Sequence, residues 1–204
     1  MSSDQPVPPA RSYTVLAVCT GNICRSPAVE RILAGELGTD SGVRVASAGV
    51  GAIVGAPIPA PMASLLRAAG GSPDGFAARQ LTEQMLRDSD LVLALTRAHR
   101  SKIVALCPDV VRRTFTLREL ARLAGGVDPA TVRAGTAGER LAALLPLAAA
   151  QRGLRPGAPD EDDVVDPYGG DDALYRRSFG ELQPAVAEIV RVVRGLDPQA
   201  ESGA

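Results

Sequence analysis

Apolar positions along the chain fall into two repeating signatures, one of strands and one of helices. Residues 13–18 form a short apolar run rich in β-branched side chains, as a buried strand would. Val29, Ile32, Leu33 and Leu37 then recur at helical spacing over 28–37, and Gly38 ends the pattern. Residues 43–49 alternate as a second strand. A helix is predicted over 62–69, closed by Gly70 and Gly71, and Thr82 reads as the cap of a short helix over 83–87. Residues 90–96 make a continuous apolar run, the mark of a strand covered on both faces. A helix over 97–107 breaks at Pro108, a candidate fourth strand follows at 113–117, and helical spacing resumes over 117–123. Leu174, Phe179, Leu182, Val186, Ile189 and Val193 lay a stripe along a final helix over 171–194, which Pro184 should kink or interrupt.

Strands alternating with helices place the chain in the α/β class, with a parallel sheet covered on both faces. Neither an internal repeat nor a second domain is visible, so residues 13–196 read as one domain. Residues 1–12, with Pro6, Pro8 and Pro9, and residues 197–204 are expected to be flexible tails. Between 125 and 163 the composition shifts to Ala, Gly, Pro and Arg, with a helix expected over 139–152 and the acidic cluster Asp160, Glu161, Asp162 and Asp163 at the end. This stretch reads as an insertion.

Composition narrows the function. The 204 residues are 46% hydrophobic and carry a formal net charge of −1, with neither a basic stripe nor a polybasic cluster. That argues against a dedicated nucleic-acid or membrane-surface binder. Three cysteines make no disulfide framework and suit a reducing compartment. A zinc site is disfavoured, because Cys19 and Cys24 lack a second ligand pair and His99 is the only histidine; no metal or cofactor is expected. The first residues have no apolar signal core and no run reaches membrane-spanning length, so a cytoplasmic protein is expected, although export without a cleaved signal would leave no trace.

The chemistry concentrates in Cys19-Thr20-Gly21-Asn22-Ile23-Cys24-Arg25-Ser26-Pro27, between the first strand and the first helix. Unpaired amides and the positive end of the helix dipole make a helix start a natural anion site. Gly21 and Asn22 are suited to the left-handed conformations that turn several N–H groups toward one point. The same field, with a nearby cation, favours the thiolate form of a cysteine, which makes Cys19 the candidate nucleophile. Arg25 offers a planar fork for two phosphate oxygens. Ser26 can donate to the sulfur or cap the helix, and Pro27 is tolerated in the first helical turn.

This Cys-x5-Arg-Ser motif resembles that of the low-molecular-weight protein tyrosine phosphatases. The resemblance continues through Ser47-Ala48-Gly49, Ala78-Arg79-Gln80 and Asp166-Pro167-Tyr168, the turn in which the family carries its general acid, placed here before the last helix. It implies a flavodoxin-like, three-layer α/β/α fold with a four-stranded parallel sheet in the order 2-1-3-4 and the site at the strands' carboxyl ends. It also implies phosphomonoester hydrolysis through a cysteinyl-phosphate. Cys19, Arg25 and Asp166 would be catalytic, and Thr20, Gly21, Asn22, Ile23, Cys24 and Ser26 would form the phosphate loop. Tyr168 would line the cleft, and the substrate would be a phosphotyrosine protein or a small aryl phosphate. As in relatives, Cys24 would form a reversible disulfide with Cys19 under peroxide, the alternative being a small packed side chain.

The chain departs from the family over 50–61, which is rich in Gly, Ala and Pro and lacks the aromatic that many relatives place beside the cleft. Three competing readings have discriminators. Thiol-dependent arsenate reductases share the loop but need further cysteines after the third strand, where only Cys107 stands. Phosphoarginine phosphatases carry Thr where Ile23 stands. A non-catalytic phosphate-binding module would not need Cys19, Arg25 and Asp166 together. His99 and Arg100 are read as part of a solvated helical face.

Overall fold

A computed structural model describes residues 12–133, 135–158 and 160–196. The expected tails lie outside these residues, apart from Ser12. The strands are β1 (Tyr13–Cys19), β2 (Val43–Gly49), β3 (Leu91–Ala94) and β4 (Thr114–Thr116). They form one parallel sheet in the order β2-β1-β3-β4, as the resemblance implied. The helices are α1 (Arg25–Leu37), α2 (Ala60–Ala68), α3 (Glu83–Arg87), α4 (Arg97–Leu106), α5 (Leu117–Ala124), α6 (Ala137–Ala150) and α7 (Asp172–Arg194).

Two-residue alternation sorts the strand side chains between two cores. Val15, Ala17 and Cys19 of β1 and Leu91 and Leu93 of β3 face the larger core, which α1, α2, α5, α6 and α7 complete with Leu33, Met62, Leu120, Leu144 and Val186. Leu16, Val18, Val92 and Ala94 face the smaller core, closed by Leu86 of α3 and Ile103 of α4. Cys19 therefore ends its strand on the face that α1 covers, beside Gly49 at the end of β2.

Several boundaries differ from the sequence expectation for identifiable reasons. Helix α1 begins at Arg25, three residues early, because Pro27 falls in the first turn, where a backbone N–H has no helical partner to lose. Helix α6 begins two residues early because Thr136 and Glu139 form a reciprocal capping box. Pro184 does not interrupt α7. A proline there removes one ladder hydrogen bond, but the stripe from Tyr175 to Val193 is buried along the length of the helix, and that burial outweighs one lost bond. Segment 125–163 shares the main core, since Val127, Val132, Leu141, Leu144 and Ala148 are buried in it. Gly138 lets α6 approach the start of β1 closely, because a Cβ there would stand 2.7 Å from that of Tyr13.

Candidate active site

The loop after β1 is fixed by the turn after β2. The carbonyls of Cys19, Thr20 and Gly21 accept from the amides of Val50, Gly51 and Ile53 at 3.0 Å each. In a trans peptide the N–H points opposite to the carbonyl, so the amides of Thr20, Gly21 and Asn22 are directed away from that turn. Gly49 permits this approach, since a Cβ on it would lie 2.3 Å from the Thr20 carbonyl oxygen. Of the two residues expected in left-handed backbone, Asn22 takes it, at φ 52°, and Gly21 does not. A side chain at Gly21 would meet only ordinary contacts with Ile23 and Ile53. Within a loop that bends over 20–24, Asn22 is thus the residue in left-handed backbone, and side-chain bonds hold it there.

Those bonds use the whole amide of Asn22. Its Nδ2 donates to Ser26 Oγ at 3.0 Å and to Ser47 Oγ at 2.9 Å, while its Oδ1 accepts from the Arg79 amide at 2.7 Å. Ser47 in turn donates to Glu30 at 2.5 Å. Ser26 Oγ, which accepts from Asn22, also lies 3.0 Å from Cys19 Sγ and 3.5 Å from the Ala48 carbonyl oxygen. Of the two roles expected for Ser26, the sulfur contact is the one present; no side-chain bond caps α1.

Cys19 is only 3% exposed, and it faces a cavity of about 190 Å³ that Arg25, Asp166, Ile53 and Tyr168 also line. Arg25, 4% exposed, donates to the Val164 carbonyl at 3.1 Å and to Asp166 Oδ2 at 2.5 Å. Its Nε is buried with no partner among the described residues, a donor whose desolvation nothing offsets. Asp166 is half exposed, and its Oδ1 accepts from the Tyr168 amide at 3.2 Å, which fixes the turn. Tyr168 is 64% exposed at the rim. The residues expected to act together from 147 positions of sequence separation are therefore assembled in one cavity.

His99 corrects the reading of a solvated face. It is 5% exposed, and its Nε2 lies 2.8 Å from Thr20 Oγ1 while its Nδ1 lies 2.9 Å from Thr96 Oγ1. Thr96 Oγ1 accepts the backbone N–H of His99 as the cap of α4. A neutral imidazole donates from one ring nitrogen and accepts at the other, so the ring bridges the hydroxyls of Thr20 and Thr96. Burial first, then the charges of Arg25 and Lys102, lower the His99 pKa from 6.5 to about 4. A neutral ring thus supports the loop. The unfolded chain binds this proton below about pH 6.5 and the folded chain only near pH 4, so stability falls on acidification through that window and is fully present above it. Denaturation midpoints at pH 7.5 and pH 5 should therefore differ more in the wild type than in His99→Gln. Equal differences would remove His99 as the source.

Cys24 is buried, and its Sγ lies 3.7 Å from the Tyr175 hydroxyl. Burial pushes its thiol up to about 11, so it is protonated at neutral pH. Burial and the bond to Cys24 push Tyr175 up to about 12. Cys107 is buried in the smaller core, on the other side of the sheet from Cys19. Ile53, not singled out in the sequence, supplies the wall where an aromatic was missed, and it carried no signal because 50–61 reads as a featureless turn. No grouping of three or more metal-binding side chains occurs among the described residues.

The sequence profile described as "Low molecular weight phosphotyrosine protein phosphatase" matches residues 14–128. The low molecular weight protein-tyrosine-phosphatase Etp of Escherichia coli (strain K12) is 44% identical over 102 residues, which cover 50% of this chain and 67% of Etp. The probable low molecular weight protein-tyrosine-phosphatase AmsI of Erwinia amylovora is 38% identical over 102 residues, 50% of this chain and 69% of AmsI. Among solved structures, Erwinia amylovora tyrosine phosphatase AmsI superposes with a TM-score of 0.65 at 25% identity, covering 91% of this chain and 95% of that one. The YwlE arginine phosphatase of Geobacillus stearothermophilus gives 0.63 at 27% identity, with 88% and 91% covered.

Proposed function

The chain belongs to the low molecular weight phosphotyrosine protein phosphatase family, and from that premise we propose that Cys19, Arg25 and Asp166 hydrolyse phosphotyrosine and aryl phosphates in two steps. In the first, Cys19 Sγ attacks phosphorus in line. The phosphorus–oxygen bond to the aryl group breaks as the Asp166 carboxyl gives its proton to the departing oxygen. In the second, the Asp166 carboxylate takes a proton from water, whose oxygen attacks phosphorus, breaks the sulfur–phosphorus bond and leaves inorganic phosphate. Arg25 and the amides of Thr20, Gly21 and Asn22 hold the equatorial oxygens throughout.

One observation supports this reading most directly: Arg25 is buried in the cavity of Cys19, its Nε without a partner among the described residues and its Nη2 on Asp166. A bound phosphate would complete that donor set. Ile23, Ile53 and Tyr168 give the cavity apolar walls suited to a phenyl ring, which favours a phosphotyrosine side chain over the shorter phosphoserine. The burial of Cys107 in the other core speaks against a thiol relay to Cys19. The three free thiols suit a reducing, cytoplasmic setting, and no helix among the described residues is long and apolar enough to cross a membrane. Aryl phosphate and a phosphotyrosine peptide should be turned over in EDTA and inhibited by vanadate. Faster release from a phosphoarginine peptide, or no hydrolysis at all, would overturn the assignment.

A further inference from the structure

Asp166 reaches the cavity from the end of a strap, residues 163–165, whose polar groups are tied to several separate elements. Asp163 Oδ1 accepts from the Arg97 amide at the start of α4, at 2.7 Å, and its carbonyl accepts from Arg118 of α5 at 2.8 Å. The Val164 amide donates to the Leu95 carbonyl just past β3 at 2.9 Å, and its carbonyl accepts from Arg25. The Val165 carbonyl accepts from Ser178 Oγ at 2.9 Å, and the Val165 amide donates to Glu181 Oε2 at 2.8 Å. Backbone groups outside regular structure are satisfied one by one.

Glu181 is the member of this set whose chemistry is specific. Both its oxygens are engaged: Oε2 on the Val165 amide and 4.0 Å from Arg118, Oε1 on Arg177 at 3.1 Å. A carboxylate accepting a backbone N–H makes a charge-assisted bond, stronger than a neutral one. It acts on the Val164–Val165 peptide, next to the one that carries Asp166 and whose carbonyl Ser178 holds, where a rotation would swing the carboxyl out of line with a departing oxygen. We infer that Glu181, anchoring the amide of Val165 from α7, is a positioning residue for the acid at Asp166. The inference rests on the proposed role of Asp166. Glu181 lines no part of the cavity, so it acts on the reaction through the strap and touches no substrate.

This predicts a loss that depends on the leaving group. Measured as kcat/KM, Glu181→Ala should lower phenyl phosphate hydrolysis by about 10-fold or more, misplacement by an ångström being worth up to ~10²-fold. It should change 2,4-dinitrophenyl phosphate hydrolysis, which needs no proton, by no more than about twofold. Glu181→Gln keeps an oxygen for the Val165 amide and should restore most of the phenyl phosphate activity. Ser178→Ala, which removes the adjacent bond to the Val165 carbonyl, should show the same selectivity at smaller size. In an Asp166→Asn background the alanine change should add nothing on phenyl phosphate. Equal losses on both esters, or a full further loss beside Asp166→Asn, would overturn the inference. A flat leaving-group profile in Asp166→Asn alone would instead overturn the role given to Asp166, so the two failures are distinguishable.

Discussion

Cys19→Ser should abolish turnover, by at least about 10⁴-fold, while inorganic phosphate still binds. Loss of a covalent nucleophile is among the largest single-residue effects in enzymes. Nothing else in the cavity can replace it: Cys24 is held as a buried thiol against Tyr175, and Ser26 Oγ is committed to Asn22 and to the sulfur itself. The substitution changes one atom and leaves the rest of the anion site in place. Arg25 is held by Val164 and Asp166, and the loop carbonyls are held by the amides of Val50, Gly51 and Ile53. Steady-state assay with an aryl phosphate and calorimetric titration with phosphate read the two halves separately. Turnover above about 1% of wild type would refute a covalent step through Cys19.

Asp166→Asn should cost about 10²–10⁴-fold on a poor leaving group such as phenol, the usual worth of general acid catalysis, and far less on a nitrophenol that departs as a stable anion. Asparagine keeps the Oδ1 that accepts the Tyr168 amide but sets an NH2 where Oδ2 pairs with Arg25; that lost pair weighs on every ester alike, so it is the difference between leaving groups that isolates the proton. The carboxyl is half exposed, which gives it access both to a substrate oxygen and to the water required in the second step. kcat/KM across a series of substituted phenyl phosphates measures the difference as a slope. A variant slope equal to that of the wild type would remove Asp166 as the proton donor.

What could be read in the chain, and what could not, divides along physical lines. The phosphate loop was legible because its chemistry is contiguous: a buried strand, a Cys-x5-Arg-Ser motif and a helix start lie within 15 residues, 13–27. Asp166 was legible only through its turn, since its partner Arg25 is 141 residues away. His99 was misread because its own helix offers no hint of burial. Its fate is decided by Thr20, 79 residues earlier, which the parallel pairing of β1 with β3 carries to the start of α4. Ile53 was missed for the opposite reason, since one isoleucine in a Gly/Ala/Pro turn shows no periodicity. Glu181 pairs with Arg177 one turn earlier on α7 and looks like any solvated helical glutamate until the strap is laid across it. Pro184 and Gly21 show local rules yielding to context, the first to burial along the whole helix and the second to an Asn22 that supplies the needed bend.

In the proposed mechanism the ion pair between Arg25 and Asp166 stands in competition with the substrate. An entering phosphoester must compete with a tethered carboxylate for one guanidinium, and success releases that carboxylate to turn toward the ester oxygen. Admission thus frees the group that the proposed mechanism uses as its acid, and that group donates only once it has taken up a proton from solvent. Simple oxyanions such as sulfate meet the same tethered rival but offer no bridging oxygen to accept the proton, so the exchange that prepares the enzyme for an ester gains them nothing beyond occupancy.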